Sequence, residues 1–251
     1  MSSSIWTRCA DDSEIRRLDV SPWRVVEAQH QLSTRKLVDS AEEQMLLEDL
    51  LERAKPPSRA PSRLHYLLAT PFRYPPLRHG SRFGTRFDPG IWYGSESRRT
   101  AFAEVAYYRL VFLEGTSAEL ELLTTQHTAF SARVRTTRGV DLSSKAFAKA
   151  RSAIASPSHY AATQALGADM RAAGVEAARY PSARDKEGGL NVAVFSPRAF
   201  TAAKPKDLQT WHCVANRARV EVAKRDYFGV ERYAFDRADF LVNGALPWPA
   251  A

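Results

Sequence analysis

Apolar and polar positions along the chain follow two different periods in short alternating segments. The clearest helical stretch runs from Ser40 to Ala54, where Leu47, Leu50, Leu51 and Ala54 recur at helical spacing. Ser40 with Glu43 forms the capping pair that opens such a helix, and the run from Lys55 to Ser62, with three prolines, closes it. Residues 1 to 55 are therefore predicted to form a helical N-terminal extension, 56 to 63 a linker, and 64 to 251 the main domain.

Within that domain the pattern mixes. Leu64 to Leu68 suits a strand or a short helix leading to Arg73 and Tyr74, and the Arg- and Gly-rich stretch from Arg78 to Gly90 has no period, as loops do. Ile91-Trp92-Tyr93 is a short apolar strand. Ser97 can cap a helix from Arg98 to Leu110, with Phe102, Val105, Ala106 and Arg109 along one stripe. Strands are predicted over Glu119 to Leu123, Ala129 to Val134, Val175 to Tyr180 and Leu190 to Phe195, with a hairpin between Trp211 and Val222. A helix from Ser158 to Ala173 ends at Gly174, the residue favoured just past a helix C-terminus. Helices and strands without regular βαβ alternation point to an α+β fold.

Composition narrows the setting. The 251 residues are 44% hydrophobic and 25% charged, and no apolar run reaches the length of a membrane span. The N-terminus lacks the apolar core of a secretory signal, so a cytoplasmic protein is expected. Cys9 and Cys213, outside any CxxC pair, read as reduced structural thiols. His65, His79 and His127 lack metal-ligand spacing, so no metal is expected. Neither GxGxxG nor GxxxxGK[ST] is present, which argues against a Rossmann crevice or a P-loop. The formal net charge of +8 is spread along the chain and dominated by Arg. Charge leaves acidic small molecules, an acidic protein and nucleic acid all open.

Three separated segments change the picture. Phe72-Arg73-Tyr74 comes first. Gly84-Thr85-Arg86-Phe87-Asp88-Pro89-Gly90-Ile91-Trp92-Tyr93, followed by Thr100-Ala101-Phe102-Ala103-Glu104, comes second. Tyr180-Pro181-Ser182-Ala183-Arg184 with Gly189-Leu190-Asn191-Val192-Ala193-Val194-Phe195 comes third. In this order they resemble the RES domain, over about residues 64 to 200. Phe87-Asp88 stands where the family usually has Trp-Asn. The resemblance implies a fold similar to ADP-ribosyltransferases, with a split, mostly antiparallel sheet and flanking helices. It also implies a toxin that consumes NAD, releasing nicotinamide to water or phosphate or ADP-ribosylating a protein. The partners implied are NAD, bound as substrate with no further cofactor, and an Xre-type antitoxin; a homo-oligomer stays open, and no membrane or direct nucleic-acid contact is expected.

On that resemblance Glu104 supplies the negative charge for an oxocarbenium-like transition state. Arg73 and Arg86 grip the pyrophosphate, with Arg82 a rival for either place. Tyr93, and with less support Tyr74, packs on nicotinamide or ribose. Ser182 orients the ribose or holds Glu104, and Asn191 and Arg184 stand behind. From the residues alone each has a plainer reading. Glu104 could be a helix-face acid paired with Arg98 or Tyr108, either arginine a solvated charge, Tyr93 a core aromatic with its hydroxyl satisfied, and Ser182 a turn residue. With no adjacent His, Ser182 is not a triad nucleophile. Two other functions compete: a basic RNA- or DNA-acting toxin, and a non-catalytic relative that holds a partner through its N-terminal helix.

Overall fold

The computed structural model describes residues 4–9, 12–28, 37–57, 60–118, 120–226 and 229–248. Residues 58 and 59 of the expected linker and Glu119, the first residue of one expected strand, lie outside the described residues. So do 1–3, 10–11 and 29–36 of the N-terminal segment.

Ten strands make one sheet among the described residues: β1 (Arg16–Val20), β2 (Trp23–Glu27), β3 (Trp92–Ser95), β4 (Leu123–Ser131), β5 (Val134–Asp141), β6 (Ala177–Pro181), β7 (Leu190–Val194), β8 (Lys206–Ala215), β9 (Arg219–Asp226) and β10 (Gly229–Asp236). Their order is β1-β5-β6-β7-β3-β2-β4-β8-β9-β10. Only β5 and β6 run parallel. Among the described residues six α-helices accompany the sheet: α1 (Ile5–Cys9), α2 (Ala41–Ala54), α3 (Tyr66–Arg73), α4 (Arg98–Gly115), α5 (Arg151–Ile154) and α6 (Ala161–Ala172). This is the expected α+β arrangement, a large and mostly antiparallel sheet flanked by helices.

The middle of the sheet is nearly parted. Strand β2 pairs with β4 along its whole length, from Trp23↔Ser131 to Glu27↔His127. To β3 it is joined only at Trp23↔Ser95. The two halves diverge from that point, and the opening between them becomes a cleft. Successive strand residues point to opposite faces. Trp92 is accordingly fully buried with Phe130, Phe200 and the Phe72 side of α3. Its neighbour Tyr93 lies on the other face, against Phe83 and α6.

Helix α4 starts where Ser97 caps it, Oγ accepting from the Thr100 N–H at 3.0 Å. It runs five residues past the expected end at Leu110 because its burial continues through Leu113. Phe102, Ala103, Ala106, Tyr107, Leu110 and Leu113 are all at most 1% exposed and pack on Trp211, Val220 and Phe235. Each large apolar side chain so buried contributes roughly 1.5–3 kcal/mol, which makes α4 a rigid mount. Glu104, Val105, Tyr108 and Arg109 occupy its remaining face, toward the cleft.

The N-terminal segment departs from its expected helical character. Helix α2 is present with its capping box, Glu43 N–H on Ser40 Oγ at 3.1 Å, but β1 and β2 belong to the main sheet. These strands are five residues each with little alternation of their own, and their partners are Gly139 and Ser131, more than a hundred residues away. Long-range pairing overrides local propensity here. Elsewhere, the segment from Leu64 leads into α3, with Pro71 inside it. The expected strand from Ala129 to Val134 is the end of β4, a break at Ala132-Arg133, and the start of β5. No described helix is long and apolar enough to cross a membrane.

Candidate active site

The cleft between β2 and β3 has a volume of about 890 Å³, within the range of roughly 300–1,000 Å³ typical of small-molecule sites. Its floor is a row of residues that register brings together. Antiparallel pairing sets Ser95 opposite Asn191 on β3 and β7, and Asn191 opposite Tyr180 on β7 and β6. All three face the cleft.

Glu104 projects from α4 onto that row. Its Oε1 accepts from Ser182 Oγ at 2.7 Å and from Asn191 Nδ2 at 2.6 Å. Asn191 is itself fixed, because its Oδ1 accepts from Ser95 Oγ at 2.6 Å, which turns the amide N–H toward Glu104. Ser182 is fixed by its turn, where its Oγ accepts from the Arg184 and Asp185 N–H groups, both at 3.1 Å. The turn is bolted to the start of α4 by Thr100 Oγ1 donating to Asp185 Oδ2 at 2.7 Å, and by the Arg99–Asp185 ion pair. A side chain at Gly189 would overlap Thr100 and Asp185, so only glycine lets strand and helix approach this closely.

The clamp on Glu104 is made of neutral donors. Arg98, the expected partner in the plainer reading, instead pairs with Glu231 at 2.9 Å. No cation lies within ion-pair distance of Glu104 among the described residues. Its negative charge is oriented without being neutralised.

Three guanidiniums line the cleft, and neither Arg73 nor Arg86 is among them. Arg24, on β2, donates Nη1 to the Tyr93 carbonyl at 2.8 Å and lies 5.5 Å from the Trp92 ring centroid. Its Nε–H is buried with no hydrogen-bond partner. Desolvation pulls its pKa down to about 10, so it remains charged at neutral pH. Arg82 donates to the Ile154 and Ser156 carbonyls at 2.9 and 3.0 Å and stacks 4.7 Å from the Tyr160 ring. Neither has a carboxylate within ion-pair distance among the described residues. A third, Arg109, is neutralised by Glu27 at 2.6 Å.

Arg73 and Arg86, expected on the pyrophosphate, do not line this cleft. Arg73 turns away at the C-terminal end of α3, donating Nε to the Pro56 carbonyl at 2.5 Å and pairing with Glu52 of α2 at 3.1 Å. Arg86 sits exposed on the turn closed by Asp88, whose Oδ2 accepts from Thr85 N–H and Oγ1, both at 2.7 Å, and lies over the exposed Phe87 ring. Gly90 is needed because any side chain there would overlap the backbone of Pro71 in α3 and of Tyr74. Of the other expected residues, Glu104, Ser182, Asn191 and Tyr93 converge. Tyr93 presents its ring to the cleft, but its hydroxyl is occupied, donating to Ser81 Oγ at 3.0 Å and accepting from Phe83 N–H at 3.2 Å. Burial pushes its phenol up from the usual value. Tyr74 lines an adjoining chamber. Arg184 is buried, its guanidinium over the Tyr107 ring and donating to the Pro157 carbonyl at 2.6 Å. Sequence reasoning missed Arg24, Tyr160 and Tyr180. The Arg24 signal was the β-branched run Trp23-Arg24-Val25-Val26; Tyr180 stood inside a motif already singled out.

The model of the RES domain matches residues 56–216. The chain belongs to the RES family. The matched segment carries α3, α4, β3 to β8, Glu104, Ser182 and Asn191, while β1, β2 and with them Arg24 precede it. No curated protein matches the chain. Among solved structures, it is similar to a chain in the crystal structure of the M. tuberculosis MbcT–MbcA toxin–antitoxin complex, at 13% sequence identity and a TM-score of 0.49. That likeness covers 83% of this chain and 91% of the other.

Proposed function

We propose that this RES protein is a toxin-like enzyme that breaks the nicotinamide–ribose bond of NAD. The observation that carries the reading is the Glu104 carboxylate, held on one oxygen by Ser182 and Asn191 and, among the described residues, paired with no cation, in a cleft where Arg24 and Arg82 likewise have no carboxylate partner among the described residues.

The chemistry asks for that arrangement. When the bond breaks, nicotinamide leaves as a neutral ring carrying the bonding pair, so no acid is needed to protonate it. Positive charge builds on the ribose, and a fixed carboxylate stabilises it; such preorganised charge is worth on the order of 10²–10³ in rate. Glu104 Oε1 is engaged by the clamp, which leaves Oε2 for the ribose. Arg24 and Arg82 would hold the pyrophosphate, in the roles expected of Arg73 and Arg86. The Tyr93 and Tyr180 rings supply flat apolar walls. The acceptor that completes the reaction is water, phosphate or a protein side chain, giving glycohydrolase, phosphorylase or ADP-ribosyltransferase activity.

Family membership supports a toxin role held in check by an Xre-type antitoxin. Expression in a bacterial host tests this: growth should stop as cellular NAD falls, and Glu104→Gln should abolish both effects. Growth arrest by Glu104→Gln, or arrest with NAD unchanged, would contradict the reading.

A further inference from the structure

Helix α2 lies outside the segment that carries the family match and buries none of its 14 residues. Its capping box makes it a complete helix, yet one this short is marginal in water unless its apolar face is packed. Arg73 ties it to α3, through Glu52 at 3.1 Å and the Pro56 carbonyl at 2.5 Å just beyond it. Within α2, Gln44 and Leu47 are the least exposed residues, which marks the side nearest the body. Leu46 and Leu50, one turn apart, form a strip turned away from that side and keep 59% and 53% of their surface exposed. Leucines set out at this spacing are the mark of a helix that packs on another helix.

The charges on α2 select what covers the strip. Glu42 and Glu43 fill its first turn and Arg53 stands in its last. Counted from Glu48, Leu46 and Leu50 lie two residues to either side, and Glu43 and Arg53 five. A second α2 laid antiparallel about that midpoint sets Leu46 on Leu50 twice and Glu43 beside Arg53 twice. That is the self-complementarity a two-fold interface requires. Glu48 itself lies about 200° round the helix from each leucine, so the two central acids do not meet. The two helix dipoles also oppose one another. A parallel pairing would instead press the acidic first turns together.

We infer that α2 is a dimerisation helix, covered by α2 of a second copy of this chain in an antiparallel, two-fold arrangement centred on Glu48. A helix about 21 Å long is short beside a standard interface of roughly 1,200–2,000 Å². The dimer is therefore weak, with a dissociation constant on the order of 10 µM. Sedimentation of the full chain between about 1 and 100 µM should show its mass rise from one chain toward two. The double variant Leu46→Glu with Leu50→Glu, at exposed positions, should stay at one chain throughout, with a thermal melt to show that the fold is kept. Arg53→Glu and Glu42→Arg should each weaken self-association about tenfold, because each sets like charges across the two-fold axis. An equimolar mixture of those two chains restores opposite charges at both ends and should recover the dimer. A wild type of single-chain mass at about 100 µM would overturn the inference and leave the strip to a different protein. A dimer that survives the leucine variant would overturn it by placing the contact elsewhere, and a mixture that stays monomeric would overturn the antiparallel register.

Discussion

Replacing Ser182 by Ala removes one of two donors on Glu104 Oε1, a hydrogen bond of 2.7 Å from a hydroxyl that two backbone N–H groups hold in place. A hydrogen bond to a charged acceptor is worth about 1.5–3 kcal/mol. If that energy goes into holding the carboxylate where ribose charge develops, its loss appears in the transition state. At 1.36 kcal/mol per tenfold, kcat should fall by roughly 10- to 100-fold. KM should move little, because neither Arg24 nor the aromatic walls depend on Ser182. Ser182→Thr keeps the hydroxyl and should recover most of the rate. Steady-state nicotinamide release from NAD, with a thermal melt to show that the turn is intact, reads the effect. Full activity in Ser182→Ala would refute the idea that the clamp matters, and a rise in KM with kcat unchanged would make Ser182 a binding group instead.

Other outcomes follow from the same geometry. Arg24→Gln should raise KM for NAD by tenfold or more, whereas Arg86→Gln, on an exposed turn, should leave both constants within about twofold; parallel kinetics separate the two. Gly189→Ala sets a methyl against Thr100 and the Asp185 carboxylate and should cost about 1–3 kcal/mol, read as a lower Tm. His127 is 1% exposed, and burial pushes its pKa down to about 4 from 6.5. The unfolded chain then binds the extra proton first. Stability is full above pH 6.5 and declines as pH falls toward 4, by a total on the order of 3 kcal/mol. Urea titrations at pH 7.5 and 4.5 should show a smaller difference for His127→Gln than for wild type.

Much of the framework was legible because its signals are local. The Ser40–Glu43 capping box, the Ser97 cap before α4 and the apolar strands β6 and β7 each declare themselves within a dozen residues. Strands β1 and β2 do not. Leu18 meets Thr136, and Trp23 meets both Ser131 and Ser95, so their strand character depends on partners far along the chain. Misreading that segment hid Arg24. The site divides in the same way. Glu104, Ser182 and Asn191 were readable because each sits in a segment whose neighbours also carry the resemblance. The arginines were not, because the +8 chain offers many, and which guanidinium turns inward is decided by the loop. The turn around Asp88 sends Arg86 outward, while Arg82, four residues earlier, folds in over Tyr160. Arg73 was claimed by Glu52, on a helix with no buried residue of its own.

The account comes down to one carboxylate, and the purified chain tests it directly. Wild type and Glu104→Gln are each incubated with NAD, with phosphate, without it, and with a cell extract as a source of protein acceptors, and free nicotinamide is measured. Release by wild type under at least one condition, reduced 100-fold or more by the substitution, is the expected result. Equal rates for the two proteins, or no release by wild type under any condition, would contradict it.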